Sequence, residues 1–172
     1  MFEADNGSGK FLVLIDKMTD YPCLFPLGSD TTSKAVERCV LQLITQFGVP
    51  KTIKTDGGPQ FTSSTMEDFA QRWGIRLETS VPHLSRTNGK AEATVKVLKK
   101  LVAGSGGLGE KLAKGLLALR NTGVEGGVPP AVAAFGQLLR ERALPCVKPM
   151  LSEEEIDQKR EGAGLHREAR QD

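Results

Sequence analysis

Blocks of apolar residues change their spacing along the chain from strand-like to helix-like and back. Phe11-Leu12-Val13-Leu14-Ile15 is a short continuous apolar run, as a buried strand needs. Tyr21 to Leu27 predicts a second strand, and a short turn around Thr19-Asp20 makes the two an antiparallel pair. Ser29-Asp30-Thr31-Thr32 then supplies helix N-cap residues. Val36, Cys39, Val40, Leu43, Ile44 and Phe47 follow at helical spacing until Gly48 and Pro50 stop the helix. Lys51 to Lys54 is a short strand leading into Asp56. Ser64-x-x-Glu67 predicts a capping box for a helix ending at Gly74, and Ile75 to Thr79 predicts another short strand. After the loop from Pro82 to Asn88, Ala91, Val95, Leu98 and Val102 share one side of a helix, which Gly104 to Gly109 breaks. Leu112, Leu116, Leu117 and Leu119 predict a further helix, and Pro130 to Leu139 a last short one. The order strand, strand, helix, strand, helix, strand, helix, helix predicts an α/β fold with a mixed sheet.

Composition narrows the class. With 172 residues, 39% of them hydrophobic and 26% charged, the chain has the make-up of a globular domain with a tail, not of a disordered or membrane protein. The longest apolar runs are far too short to span a bilayer, and no charged start leads into an apolar stretch of signal-peptide length, so a secreted protein is not expected. Cys23, Cys39 and Cys146 stand far apart with no C-x-x-C pair, which argues against a disulfide framework or a zinc site and for a reducing intracellular compartment. From Leu151 onward the chain is charged, and a solvated tail is expected there.

Charge position says more than net charge, which is only +2. Arg86 to Arg120 holds eight basic and two acidic residues, a net +6 against −4 for the remainder. Inside that basic stretch, Glu92, Lys96 and Lys99 stand at i, i+4 and i+7, on one face of the predicted helix. A lone Glu-x-x-x-Lys is ordinarily a solvated pair. Here it coincides with a second candidate, the run Lys54-Thr-Asp-Gly-Gly-Pro-Gln-Phe61, which puts a carboxylate at a strand end followed by turn residues. Lysines contact a nucleic-acid backbone and carboxylates hold divalent ions, so the two stretches together suit a phosphate-binding, metal-assisted site.

Asp56 and Glu92 are separated by 35 residues. TDGGPQF followed at that gap by the Glu of SRTNGKAEATVKVLKK resembles the integrase catalytic core of retroviruses and gypsy-like LTR retrotransposons, whose signature is Asp, Asp, 35 residues, Glu. FLVLIDKMTDYPCLFPL is similar to that family's second and third strands, and RNTGVEGGVPPAVAAFGQLLR to the segment after its core. The resemblance covers roughly residues 2–144, which sets expected bounds of 1–144 for the core-like domain and 145–172 for the tail. It implies an RNase H-like three-layer fold and Mg²⁺- or Mn²⁺-dependent polynucleotidyl transfer in DNA integration. It also implies element-end and target DNA as partners, a homo-oligomer and a nuclear site of action. By the same resemblance Asp56 and Glu92 are the catalytic, metal-holding carboxylates, Lys96 and Lys99 touch element DNA, and Asn88 belongs to the Asn-Gly pair ahead of the Glu helix.

The family's first Asp stands on the first strand, just ahead of a segment like Leu-Phe-Glu. Met1-Phe2-Glu3 matches the end of that segment, so the first strand is expected to be largely truncated and its Asp to fall before Met1. Asp5 lies in a turn-forming stretch and Asp16 matches a family position that is not a metal ligand, so neither replaces it. Little or no strand transfer and marginal stability are the expected results. His83 and His166 are isolated and form no zinc module. Two other readings of the same residues stay open: a domesticated, non-catalytic DNA-binding or interaction module, and an RNase H-like nuclease.

Overall fold

A computed structural model of the chain describes residues 1–3, 7, 9–79, 89–123 and 127–140, with backbone alone for 89–91. The residues fall into two compact units: Met1–Val13 with Cys23–Gly89, and Leu14–Pro22 with the described residues from Lys90 onward.

The first unit carries the strands, apart from Leu14 and Ile15 of the second and Pro22 of the third. β1 (Phe2–Glu3), β2 (Lys10–Ile15) and β3 (Pro22–Gly28) form a sheet in that order. β1 pairs antiparallel with β2 over two residues, Phe2 opposite Phe11 and Glu3 opposite Lys10. The two phenylalanine rings stack at 5.7 Å on the buried side, while opposite charges meet on the other. A second, parallel ladder joins β4 (Thr52–Thr55) to β5 (Arg76–Thr79). Antiparallel and parallel pairing are thus both present, as in a mixed α/β fold.

α1 (Ser33–Phe47) begins where Thr32 accepts a hydrogen bond from the Ala35 N–H through its side chain. It buries Ala35, Val36, Cys39 and Val40, a stripe at one-turn spacing, and ends at Gly48 with φ of 84°. Burial pushes the Cys39 thiol above its ordinary pKa, which keeps it protonated and inert. α2 (Ser64–Trp73) buries Met66, Phe69 and Ala70 and stops at left-handed Gly74. Its cap is Ser63, one residue before the Ser64 that the capping-box pattern picks out. The reason is tertiary: the Ser63 hydroxyl also shares a 2.6 Å hydrogen bond with the Ser33 hydroxyl, tying the start of α2 to the start of α1. An Arg72–Glu37 ion pair at 3.0 Å links the same two helices further along.

The second unit is built on α3 (Gly89–Ser105), α4 (Glu110–Asn121) and α5 (Pro130–Phe135). Leu98 and Val102 of α3 are fully buried, and Leu112 of α4 is buried with them in this unit. Gly115 lets the two helices close up: a Cβ there would overlap the Leu101 side chain. Lys111 donates to the Gly104 carbonyl near the end of α3, satisfying one of the acceptors that a helix leaves open. Arg120 ends α4 by grasping the hairpin tip. Its Nε and Nη2 donate to the Pro22 carbonyl at 3.1 and 3.0 Å, and its guanidinium lies 4.7 Å from the centre of the Tyr21 ring. Phe135 meets the other part of that ring edge-on at 5.2 Å. Asn121 then exchanges two hydrogen bonds with the Leu139 backbone, holding the segment after α5 as a strand neighbour would. The last helix is shorter than the span Pro130 to Leu139 predicted, because Gly136 turns left-handed at φ of 74°. No helix among the described residues is long and apolar enough to cross a membrane.

Candidate functional site

The parallel ladder ends at the pair Thr55–Thr79, and Asp56 is the first residue beyond it. Ile53, buried, anchors β4 to the core. Side chains two residues apart share a face, so Thr55 lies on the Ile53 side, and its partner Thr79 lies on that side too. The chain then reverses. Gly57 has φ of 74°, a left-handed conformation that only glycine adopts at little cost. Its N–H donates to Thr55 Oγ1 at 3.4 Å. The Gly58 N–H donates to Asp56 Oδ1 at 3.3 Å, and the Phe61 N–H donates to the Gly58 carbonyl at 2.9 Å. This is an Asx-type turn closed by the buried Phe61 ring, with α2 beginning shortly after. A Cβ at position 57 would also come within 2.8 Å of Thr79 Cγ2. Gly57 is therefore not interchangeable with other residues, for reasons of both backbone conformation and space.

The turn leaves the Asp56 side chain exposed. Oδ1 accepts one long hydrogen bond, and Oδ2 accepts none among the described residues. Asp16, the other strand-end aspartate weighed as a ligand, is differently engaged: its Oδ2 accepts from the Thr19 N–H at 2.9 Å and the Thr19 hydroxyl at 2.6 Å. That carboxylate is part of the hairpin turn.

In the second unit, Glu92 occupies the first turn of α3, where the positive end of the helix favours a carboxylate. Glu92, Lys96 and Lys99 are all exposed, and their spacing puts them on one face of the helix. Val95 is half-buried behind them. Asn88 and Asp5 lie outside the described residues. Sequence patterning gave no sign of Thr79 as a neighbour of Gly57, because that contact depends on the β4–β5 register and not on local spacing.

Residues 2–85 match the family described as integrase core domain. The Pro-Pol polyprotein of Simian foamy virus type 3 is 38% identical over 97 residues, which is 56% of this chain and 8% of that polyprotein. The chain thus spans less than a tenth of the length of that curated relative. The catalytic core domain of BIV integrase superposes with a TM-score of 0.63 at 22% identity, covering 78% of this chain and 90% of that one. The HTLV-2 integrase catalytic core domain, in its dimeric complex with magnesium, gives 0.56 at 24% identity, covering 70% and 81%. At such identities the likeness establishes the fold: the chain has the mixed α/β, RNase H-like architecture of retroviral integrase catalytic cores.

The atoms of the Asp56 turn bear on whether a divalent ion suits it. Hard cations take carboxylate oxygens, and Asp56 presents one oxygen with no partner among the described residues on a turn with little freedom to move. In donor chemistry Asp56 fits. The described residues contain no group of three or more His, Cys, Asp or Glu side chains placed to hold a metal ion, so Asp56 is not one corner of a local cluster within its strand end.

Proposed function

We propose that the chain is the catalytic core of a DNA integrase of the retroviral and LTR-retrotransposon type. Asp56 and Glu92 are its metal-holding carboxylates, and Lys96, Lys99 and Asn88 are its contacts to element DNA. The observation that carries this proposal is the Asp56 turn: an exposed, under-used carboxylate fixed at the end of a parallel ladder, inside residues that match the integrase core family. Two divalent ions, Mg²⁺ or Mn²⁺, would stabilise the attacking and leaving oxygens of an in-line displacement at phosphorus. Asp56 would contribute a negative carboxylate whose Oδ1 accepts from the Gly58 N–H. Glu92 contributes a second from the first turn of α3. Lys96 and Lys99, one and two turns further on, offer charge to backbone phosphates on the same helix face. The partners follow from the same proposal: element ends, target DNA and further copies of the chain, acting in the nucleus.

A polypeptide that brings only Asp56 and Glu92 to the ions, without a third carboxylate, transfers strands poorly or not at all. An oligonucleotide strand-transfer assay with Mn²⁺ is the test. Product whose formation depends on Asp56 overturns the impairment. DNA retention that falls steeply with added salt, and falls further in Lys96→Ala/Lys99→Ala, is the expected binding result. Salt-independent retention, or none, removes the nucleic-acid proposal.

A further inference from the structure

We infer that Thr79 is a positioning residue for the Asp56 carboxylate, acting through Gly57, an inference that rests on Asp56 being the metal ligand proposed above. The last pair of the β4–β5 ladder is Thr55 opposite Thr79. Both threonines bear on Gly57, each by a different atom. Thr55 Oγ1 accepts from the Gly57 N–H, and Thr79 Cγ2 takes the space that a side chain at position 57 would enter, 2.8 Å from where its Cβ would lie. Gly57 is therefore bounded on two sides: by its N–H bond to Thr55 of its own strand and by the Thr79 methyl group, which fills the space beside its Cα.

Threonine suits the second role because it is branched at Cβ. Its χ1 is stiff, so the methyl is a fixed stop and not a flexible one. The next residue's N–H, that of Gly58, donates to Asp56 Oδ1. A shift of Gly57 thus moves the one hydrogen-bond donor that the carboxylate has among the described residues, and the side chain's direction with it. Both hydrogen bonds of the turn are long, at 3.4 and 3.3 Å, so they do little alone to fix the turn, and the packing stop matters more. Groups of this kind, one step out from a ligand, commonly decide how well the ligand grips its ion.

The test uses the 172-residue chain, with Mn²⁺ as the probe. Paramagnetic broadening of the Gly57 and Gly58 amide signals reports ion binding at Asp56 without any need for turnover, and hydrogen exchange at the Gly57 amide reports the stop directly. Thr79→Ser removes the methyl and keeps the hydroxyl; Thr79→Val keeps the methyl and removes the hydroxyl. Thr79→Ser is expected to need about tenfold more Mn²⁺ for the same broadening and to exchange the Gly57 amide faster, with an unchanged thermal midpoint. Thr79→Val is expected to match the parent. Asp56→Asn is expected to abolish the broadening. If Thr79→Ser matches the parent while Asp56→Asn abolishes broadening, the positioning role is overturned and the metal assignment stands. If Thr79→Val weakens Mn²⁺ as much as Thr79→Ser does, the methyl is not the acting group and the inference also fails. If Asp56→Asn leaves the broadening intact, Asp56 is not the ligand and the proposal of both roles falls together.

Discussion

Asp30 and Asp56 both follow a strand and both open a turn that leads to a helix, yet they spend their oxygens in opposite ways. Asp30 Oδ1 accepts from the Thr32 hydroxyl at 2.7 Å and the Thr32 N–H at 3.1 Å, and Oδ2 meets Arg38 at 2.7 Å. Among the described residues Asp56 accepts a single 3.3 Å bond, from Gly58. The Thr32 hydroxyl above all, then its N–H and the Arg38 guanidinium, hold the Asp30 carboxyl down at a pKa of about 2. The Asp30 turn consumes its charge in organising the start of α1. The Asp56 turn instead organises itself with glycine geometry and the packing of Thr79 and Phe61, leaving its charge available. The difference separates a carboxylate that is part of the fold from one the fold presents.

Four measurements press on that contrast. The largest stability loss belongs to Gly57→Ala, which forces a side chain into a left-handed backbone and against Thr79. Urea unfolding is expected to register about 2 kcal/mol, with part of it recovered in Gly57→Ala/Thr79→Ser. A loss that the double variant does not reduce would mean that Thr79 is not the obstacle. On the other side, Thr32→Ala removes the cap of α1 and the principal partner of Asp30, and about 1 kcal/mol is expected by the same method. Acid titration of stability comes next. Since the folded pKa of Asp30 lies below its ordinary value of 3.8, its contribution is complete above that value and is lost as pH falls toward about 2. Asp30→Asn should flatten the stability profile across that window, and a profile unchanged by the substitution would contradict the role given to Thr32 and Arg38. The smallest effect is the most telling: Asp56→Asn should leave the urea midpoint within about 0.5 kcal/mol of the parent, as expected where an exposed side chain does little for the fold. A large loss there would make Asp56 a structural residue like Asp30.

Much of this was legible along the chain because the signals are local. Val36, Cys39 and Val40 mark the inner face of α1, Gly48 and Gly74 mark helix ends, and TDGGPQF marks the turn, each within a few residues of the structure it specifies. The start of α2 was displaced by one residue, since the competition between Ser63 and Ser64 is decided by Ser33, thirty positions away. The Thr79 stop and the Arg120 grip escaped for the same reason. Each depends on which strand lies beside which, or on which helix returns to which turn, and neither leaves a period or a spacing to detect. Position 120 in particular resembles any basic residue near a helix end, a place where cations are favoured whatever they touch.

Arg120 reaches the Pro22 carbonyl across 98 positions of chain. A ribosome releases the tip of the β2–β3 hairpin long before it makes the guanidinium that seats Tyr21. Through that interval Tyr21, later buried, lacks both its cation and the Phe135 edge. A nascent chain halted before residue 120 therefore lacks both side chains that pack on the Tyr21 ring at this corner.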